Sequence, residues 1–186
     1  MGGQGGGVLT DWIVALAEAQ GFAAQSTSVP GVAQRTGATI YYVEMLPPRD
    51  GVAPVLSLMP TPGDVDVVIA AEMMEAGRSI LRGLVTPDKT VMIVSTHRSF
   101  AVSEKEAPGD GTSDPLAVVD AADFAAKRTI AFDMEALATR NGSVISAALF
   151  GALAAADVLP FDRAAFIRRQ PYDDPIRHIR MRIRRR

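Results

Sequence analysis

The amino-acid sequence predicts a single α/β domain, Rossmann-like, with a mostly parallel central sheet and helices on both faces. Three observations lead to this prediction. Segments with the period of a strand alternate along the chain with segments that have the period of a helix. The length of 186 residues suits one domain with its own core. A glycine-rich stretch, residues 1–7, runs directly into the first helix-like segment, as at the strand-to-helix turns of such folds.

The first predicted helix follows the glycine-rich stretch. Val8, Trp12 and Leu16 recur every four residues, which is the spacing of a helix that buries one face. Gly21 follows at the position where a left-handed C-terminal cap usually lies. Two segments of high β-propensity come next, separated by a loop rich in glycine and proline. The predicted elements of this half are a helix at 8–20 and strands at 22–29 and 38–45.

In the second half, apolar strands alternate with helices. Met73, Ala76, Ile80 and Leu84 form the predicted buried face of one helix. Asp114 and Ser143 stand where N-cap residues of later helices are expected. The helix after Ser143 is apolar almost all round, so it should be buried or lie against another subunit. The predicted strands are 63–71, 89–96 and 129–133, and the predicted helices are 72–84, 114–128, 134–140, 144–156 and 160–167.

Composition limits the classes of function open to the chain. Hydrophobic residues make up 48% and charged residues 22%, as in ordinary globular proteins. There is no cysteine, which excludes disulfides, thiolate metal sites and iron–sulfur ligation by this chain. No apolar run is long enough to cross a bilayer, and the N-terminus lacks the pattern of a signal peptide. We therefore expect a cytoplasmic protein without membrane contact.

The net charge of −2 is unevenly distributed. Residues 168–186 contain eight arginines and two aspartates, a net charge of +6, which leaves −8 on the preceding 167 residues. An acidic body of this kind disfavours nucleic acid as a partner. The composition therefore divides the chain into a folded domain, 1–167, and an arginine-rich tail, 168–186, that is predicted to be disordered.

The glycine turn is the first candidate site. Glycine permits positive φ and close approach of a ligand or second chain, and the first N–H groups of a helix point outward with partial positive charge. Carboxylates and phosphates suit such a turn. The spacing lacks the third glycine of a dinucleotide fingerprint, and no Lys-Ser/Thr follows as in a P-loop. A plain tight turn, a dinucleotide site, and a contact with a cofactor or partner on another chain all remain open.

Arg35 is the second candidate. It lies in the loop between the first two strands, where Gly31 and Gly37 allow tight folding and Gln34 offers a polar partner. A fixed guanidinium recognises carboxylate or phosphate, whereas a lone loop arginine is ordinarily solvated. If the loop folds back over the glycine turn, the two together form a cationic pocket rich in donors.

The third candidate is Thr96-His97-Arg98, at the carboxyl end of a predicted strand. Ligands gather at this end of parallel sheets. An exposed loop histidine is the competing interpretation. The chain has only two histidines, too few for a zinc site of the usual kind, so no metal site is predicted.

Several motifs together resemble the gamma-type catalytic domain of 2-oxoacid:ferredoxin oxidoreductases. Within that family they are most similar to the beta subunit of indolepyruvate ferredoxin oxidoreductase. The resemblance covers about residues 1–167. It rests on the glycine turn 2–7, the Gln-Arg-Thr-Gly loop within 29–37 with the strand 40–43 after it, and the segments 132–138 and 142–151.

The resemblance implies a subunit that takes part in oxidative decarboxylation of an arylpyruvate. Coenzyme A would accept the acyl group, and ferredoxin would take the electrons. Thiamine diphosphate, Mg and the 4Fe-4S clusters would belong to a large catalytic partner subunit, with no cofactor bound by this chain alone. The residues that would position carboxylate or phosphate groups at the shared site are Gly2, Gly3, Gln4 and Gly5 in the turn and Gln34, Arg35 and Gly37 in the facing loop.

The chain departs from the family's pattern at both ends. The strand that precedes the glycine turn in the family is missing, and the arginine-rich tail replaces the final helix turn. These departures suggest a truncated or frame-altered product. Two other functions are compatible with the residues: a stand-alone nucleotide-binding Rossmann-like domain, and a non-catalytic interaction module whose tail binds acidic partners.

Overall fold

The computed structural model of the chain describes residues 5–30, 39–52, 54–97 and 115–169. Within these ranges the helices are α1 (Gly6–Ala19), α2 (Met73–Leu81), α3 (Pro115–Ala125), α4 (Met134–Arg140), α5 (Ile145–Ala156) and α6 (Arg163–Arg169). The strands are β1 (Ala23–Pro30), β2 (Thr39–Leu46), β3 (Val67–Ala70), β4 (Val91–Ser95) and β5 (Arg128–Phe132). No helix in these ranges combines the length and apolar character that a membrane-spanning helix needs.

A three-stranded parallel sheet in the order β3-β4-β5 forms the centre of the fold. Its register aligns Ile69, Ile93 and Ile130 across the sheet. All five residues of β4 are buried, as expected for the middle strand of a sheet covered on both faces. The parallel sheet and its alternation with helices confirm the predicted α/β class.

Helices cover both faces of this sheet because successive side chains of β4 point in opposite directions. Ile93 packs into an apolar cluster with residues of α1, α4, α5 and α6. Met92 and Val94 pack into a second cluster with residues of α2 and α3. The two-sided arrangement predicted from the sequence is therefore present.

The first two strands form a separate antiparallel pair. Only eight residues, 31–38, connect β1 to β2, fewer than the dozen or more that a parallel crossover requires. Strand β2 does not pair with β3. The sequence predicted one mostly parallel sheet for all strands and gave no indication of a separate antiparallel pair.

Helix α5 lies at the centre of the larger apolar cluster. It was predicted to be apolar all round, and nine of its twelve residues are buried. Phe150 stacks edge-on against Trp12 of α1 at 5.7 Å between ring centroids and lies 5.1 Å from Phe166 of α6. The aromatic contacts join α1, α5 and α6 into one layer.

Some predicted element boundaries are wrong. Helix α2 ends at Leu81, so Leu84 lies outside it, and Leu81 is largely exposed. The N-cap of α5 is Val144, with no side-chain hydrogen bond, instead of Ser143. The end at Leu81 follows from Gly83, whose φ of +71° stops the helix. Asp114 lies outside the described residues.

Candidate functional site

The described part of the glycine turn is Gly5 to Gly7, and it begins with Gly5, the N-cap of α1. Its φ of +69° belongs to the left-handed region that favours glycine. The Leu9 amide donates to the Gly5 carbonyl at 2.9 Å, so the helix begins directly after the turn. No side chain caps this end, and its first turn contains no acidic residue. Within the described ranges, neither the N-cap residue nor the first turn supplies a side-chain acceptor for the outward amides of α1.

Gly5 packs directly against the first turn of α5. A Cβ built on Gly5 would lie 2.8 Å from the Oγ of Ser146, closer than real Cβ contacts allow. Ser146 is buried, and the N-terminus of α5 also lacks a side-chain cap and a first-turn acid. The positive ends of two helices of 14 and 12 residues therefore lie side by side at Gly5.

Tyr41 of β2 covers the next glycines of the turn. A Cβ on Gly6 would lie 2.7 Å from Cε2 of the Tyr41 ring, and one on Gly7 would lie 3.6 Å from its hydroxyl. Tyr41 is two residues from Thr39, where β2 begins, a distance of about 7 Å along a strand. The glycine turn thus lies beside the end of β2 to which the 31–38 loop is joined.

Both helix N-termini lie toward the carboxyl edge of the parallel sheet. Arg128, the first residue of β5, donates through Nη2 to the carbonyl of Ala156, the last residue of α5, so α5 ends at the amino edge. Helix α5 is about 18 Å long, so its first turn reaches the opposite edge. Since Gly5 contacts Ser146 in this first turn, Gly5 also lies at the carboxyl edge.

Thr96 and His97 follow β4 at the same carboxyl edge, and their described contacts are structural. The Thr96 amide donates to the Phe132 carbonyl at 3.0 Å, and the His97 carbonyl accepts from the Met73 amide at 3.3 Å. The buried Ser95 hydroxyl accepts from the amides of His97 at 3.4 Å and Met134 at 3.2 Å. Thr96 and His97 thus lie at the same edge of the sheet as Gly5.

Most of the predicted site residues lie outside the described ranges. These are Gly2, Gly3, Gln4, Gln34, Arg35, Gly37 and Arg98. Two residues that the sequence did not indicate, Ser146 and Tyr41, lie against the glycine turn in the structure. Ser146 could have been noticed as a polar residue in an otherwise apolar helix, whereas nothing in the sequence links Tyr41 to the glycines.

A cleft of about 610 Å³ lies between β2 and β3, below the glycine turn. Its mouth is charged: Lys89 forms ion pairs with Asp64 and with Asp66, the latter at 3.5 Å, and a hydrogen bond to Asp64 raises the pKa of Lys89. Burial raises the pKa of Tyr42, and the negative charge of Glu44 raises it further. The phenol therefore stays protonated beyond its usual range.

Comparison with known proteins decides the family. Residues 1–173 match the model of the family described as pyruvate ferredoxin/flavodoxin oxidoreductase. The chain belongs to this family. Its members are oxidoreductases that act on oxoacids. No curated protein matches the chain in a sequence search.

Among solved structures, the chain is similar to the gamma subunit of a keto/oxoacid ferredoxin oxidoreductase from Geobacter sulfurreducens PCA. The TM-score is 0.52 and the sequence identity 16%, over 96% of this chain and 82% of that one. At this identity the likeness concerns the fold. It agrees with the resemblance to a gamma-type domain, while the preference for indolepyruvate is a finer prediction that neither comparison reaches.

The side chains of this chain determine which groups it could bind. Iron–sulfur clusters are held by thiolates, and the sequence contains no cysteine. Within the described ranges, no group of three or more His, Asp or Glu side chains is placed to hold a metal ion. The paired N-termini of α1 and α5 do fit an anionic end, such as a carboxylate or phosphate.

Proposed function

We propose that this chain is the subunit of a 2-oxoacid:ferredoxin oxidoreductase that positions anionic groups of substrate and cofactor at a site shared with a large catalytic subunit. The observation that carries the proposal is the packing of Gly5 on Ser146, which brings the N-termini of α1 and α5 together. The two helix ends, whose N-cap residues Gly5 and Val144 make no side-chain cap hydrogen bond, offer oriented N–H donors to one anion. Membership of the oxidoreductase family supplies the chemical context.

The arginine loop would complete this site from the other side. Tyr41, near the start of β2, lies on Gly6, and the 31–38 loop joins β2 two residues earlier. This neighbourhood supports the proposal that Arg35, with Gln34 and Gly37, faces the glycines at 2–5. Oriented amides and a guanidinium fork hold a carboxylate by geometry and charge, without covalent chemistry on this chain.

The substrate we propose is an arylpyruvate such as indolepyruvate, with coenzyme A as acyl acceptor and ferredoxin as electron acceptor. Thiamine diphosphate with Mg, when bound in the partner, supplies the carbanion chemistry of decarboxylation, and 4Fe-4S clusters there carry the electrons. The role of this chain is to bind, orient and neutralise charge. We further propose that the assembled enzyme is cytoplasmic.

Co-expression with a candidate large subunit tests this function. We expect the two chains to co-purify and to reduce a dye in a reaction that depends on both the 2-oxoacid and coenzyme A. Neither chain should be active alone. Turnover by this chain unaided, or failure of the two chains to associate, would contradict the proposal.

Variants of Arg35 test the site within that complex. Arg35→Lys keeps the charge but loses the two-pronged geometry, and Arg35→Ala loses both. We expect Arg35→Ala to lower kcat/KM by about a hundredfold and Arg35→Lys to recover only part of it. Arg49→Ala, in the turn after β2, is the matched control and should leave activity unchanged. An Arg35→Ala complex as active as the control would remove Arg35 from the site.

A further inference from the structure

Two strand edges face each other across the cleft without pairing. Among the described strands, β2 pairs only with β1, and β3 pairs only with β4. The cleft is lined by every residue of β2 and by residues 65–71, which include β3. Unpaired N–H and C=O groups along such edges form a template for an added strand. The gap therefore has the chemistry of a missing strand position.

The two sides of this gap differ in polarity. Val43 and Ile69 point into the larger apolar cluster, toward the layer of α1 and α5. Val68 points into the other cluster, on the side of α2. The first side is closed by leucine and isoleucine side chains, whereas the lining elsewhere carries four carboxylates and two basic groups. The apolar residues are Leu9, Ile13, Leu149 and Leu153, and the charged ones are Glu44, Asp64, Asp66, Glu75, Arg82 and Lys89.

A strand that filled this gap would need one apolar face and one basic face. The last part of the tail has this pattern: residues 179–184 read Ile-Arg-Met-Arg-Ile-Arg. Alternation with period two places Ile179, Met181 and Ile183 on one side of an extended segment and three arginines on the other. The arginine face meets a lining in which four carboxylates exceed two basic groups; Lys89 pairs there with Asp64 and Asp66, and Arg78 pairs with Glu75. The apolar face matches the wall formed by α1 and α5.

We propose that residues 179–184 of the chain's own tail insert between β2 and β3 as a strand that joins the two sheets. Strand β2 begins beside the glycine turn at the carboxyl edge, so it runs opposite to β3. The inserted strand is therefore parallel to one neighbour and antiparallel to the other. This inference is independent of the proposed function.

The tail is long enough to reach the gap. It leaves α6 at Arg169, and nine residues, 170–178, precede the alternating segment. Nine extended residues span up to about 30 Å, roughly the width of a domain of this size. Phe166 of α6 packs on Phe150 of α5, whose neighbour Leu149 lines the cleft. The tail therefore starts in the helix layer that borders the gap.

Disulfide scanning tests the insertion directly, because the chain has no cysteine of its own. Ile69→Cys is combined in turn with a single cysteine at each position from 179 to 184. We expect the intramolecular disulfide yield to alternate, several-fold higher at 179, 181 and 183 than at 180, 182 and 184. With Val68→Cys, on the other face, the alternation should invert. The proposal would be overturned if, in both series, the disulfide yield did not alternate along positions 179 to 184 or no disulfide formed.

Hydrogen exchange provides a second measurement without cysteines. Removing residues 170–186 should speed amide exchange in β2 and β3 by about tenfold or more and leave β4 unchanged. Glutamate at positions 180, 182 and 184 together should do the same, whereas glutamate at 177, 185 and 186, an equal change of charge, should not. Equal exchange in all four proteins would overturn the proposal. The proposal would also be overturned if another strand occupied the gap. That strand could lie ahead of Gly5 in a longer polypeptide, come from a partner subunit, or be the tail of a second copy, which would be seen as a disulfide-linked dimer.

Discussion

Gly5 and Ser146 are in such close contact that a side chain at position 5 would force Ser146 to move. The Cβ of any other residue at position 5 would lie 2.8 Å from the Ser146 Oγ and 3.1 Å from its Cβ. This contact joins the first turns of two helices that are separated by about 140 positions in the sequence. It also places their positive ends together, on which the proposed anion site depends.

Gly5→Ala should destabilise the chain by about 2–4 kcal/mol, because the left-handed φ and the collision with Ser146 both contribute. Gly142→Ala is the matched control: Gly142 has a φ of +64° and no neighbour within 4 Å, so only the backbone term of about 1–2 kcal/mol remains. Urea unfolding of the two variants measures the difference. Equal losses would show that the Ser146 contact is unimportant.

Gly6→Ala and Gly7→Ala should differ although the residues are adjacent in α1. Either alanine favours the helix by about 0.5–1 kcal/mol, but only at Gly6 does the new Cβ meet the Tyr41 ring, at 2.7 Å. We expect Gly7→Ala to stabilise the chain and Gly6→Ala to give no gain. In the assembled oxidoreductase, displacement of Tyr41 by Gly6→Ala should lower kcat/KM by about tenfold, with Gly7→Ala unaffected. A stabilised, fully active Gly6→Ala would contradict this expectation.

Ser95→Ala should cost about 1–3 kcal/mol of folding free energy. The buried Ser95 hydroxyl accepts from the Met134 amide at 3.2 Å, and alanine leaves that buried donor unpaired. Ser79→Ala is the control, since the Ser79 hydroxyl only donates to the Ala76 carbonyl within its own helix. Thermal or urea unfolding measures both, and a Ser95→Ala variant no less stable than Ser79→Ala would be the contrary result.

We expect Tyr42 to make the stability of the chain fall at alkaline pH. Its pKa is raised in the folded protein, so the folded state keeps the phenol proton where the unfolded chain has lost it. The stabilisation is complete below pH 10.0, the ordinary tyrosine value, and is lost as pH rises through the folded pKa. Tyr42→Phe should therefore reduce the alkaline loss of stability.

The tyrosinate absorbance of the wild type minus that of Tyr42→Phe follows this group alone. Glu44→Gln should lower the Tyr42 pKa, because it removes a neighbouring negative charge but keeps an acceptor for the Ser57 amide. Burial remains, so the pKa should stay above the ordinary value. Glu18→Gln, on the exposed side of α1, is the control. If the Tyr42 pKa were the same in Glu44→Gln as in the wild type, the charge of Glu44 would not be a cause of its shift.

Local sequence was sufficient where one element's own side chains decide its structure. The bounds of α4 agree with the prediction because Asp133 caps its first turn, accepting from the Ala136 amide at 2.8 Å, and Asn141-Gly142 ends it. Strand β4 was predicted as a buried strand because its residues from Val91 to Val94 are all apolar. The motifs around 2–7 and 29–37 led to the resemblance, and the family match agrees with it at the level of the family.

The tertiary structure decided which separate elements meet. Periodicity predicted a buried face of α1 only in part, since Leu16 is buried but Val8 is exposed. It gave no sign that the first turn abuts Ser146 or that Tyr41 covers Gly6, because such contacts depend on packing between distant segments. It gave no sign that β1 and β2 form their own antiparallel pair, since pairing partners are chosen by crossover length and edge geometry. Thus the sequence by itself determined the α/β class and the helical and strand segments. Packing alone placed two helix N-termini together and left a strand-wide gap between the sheets.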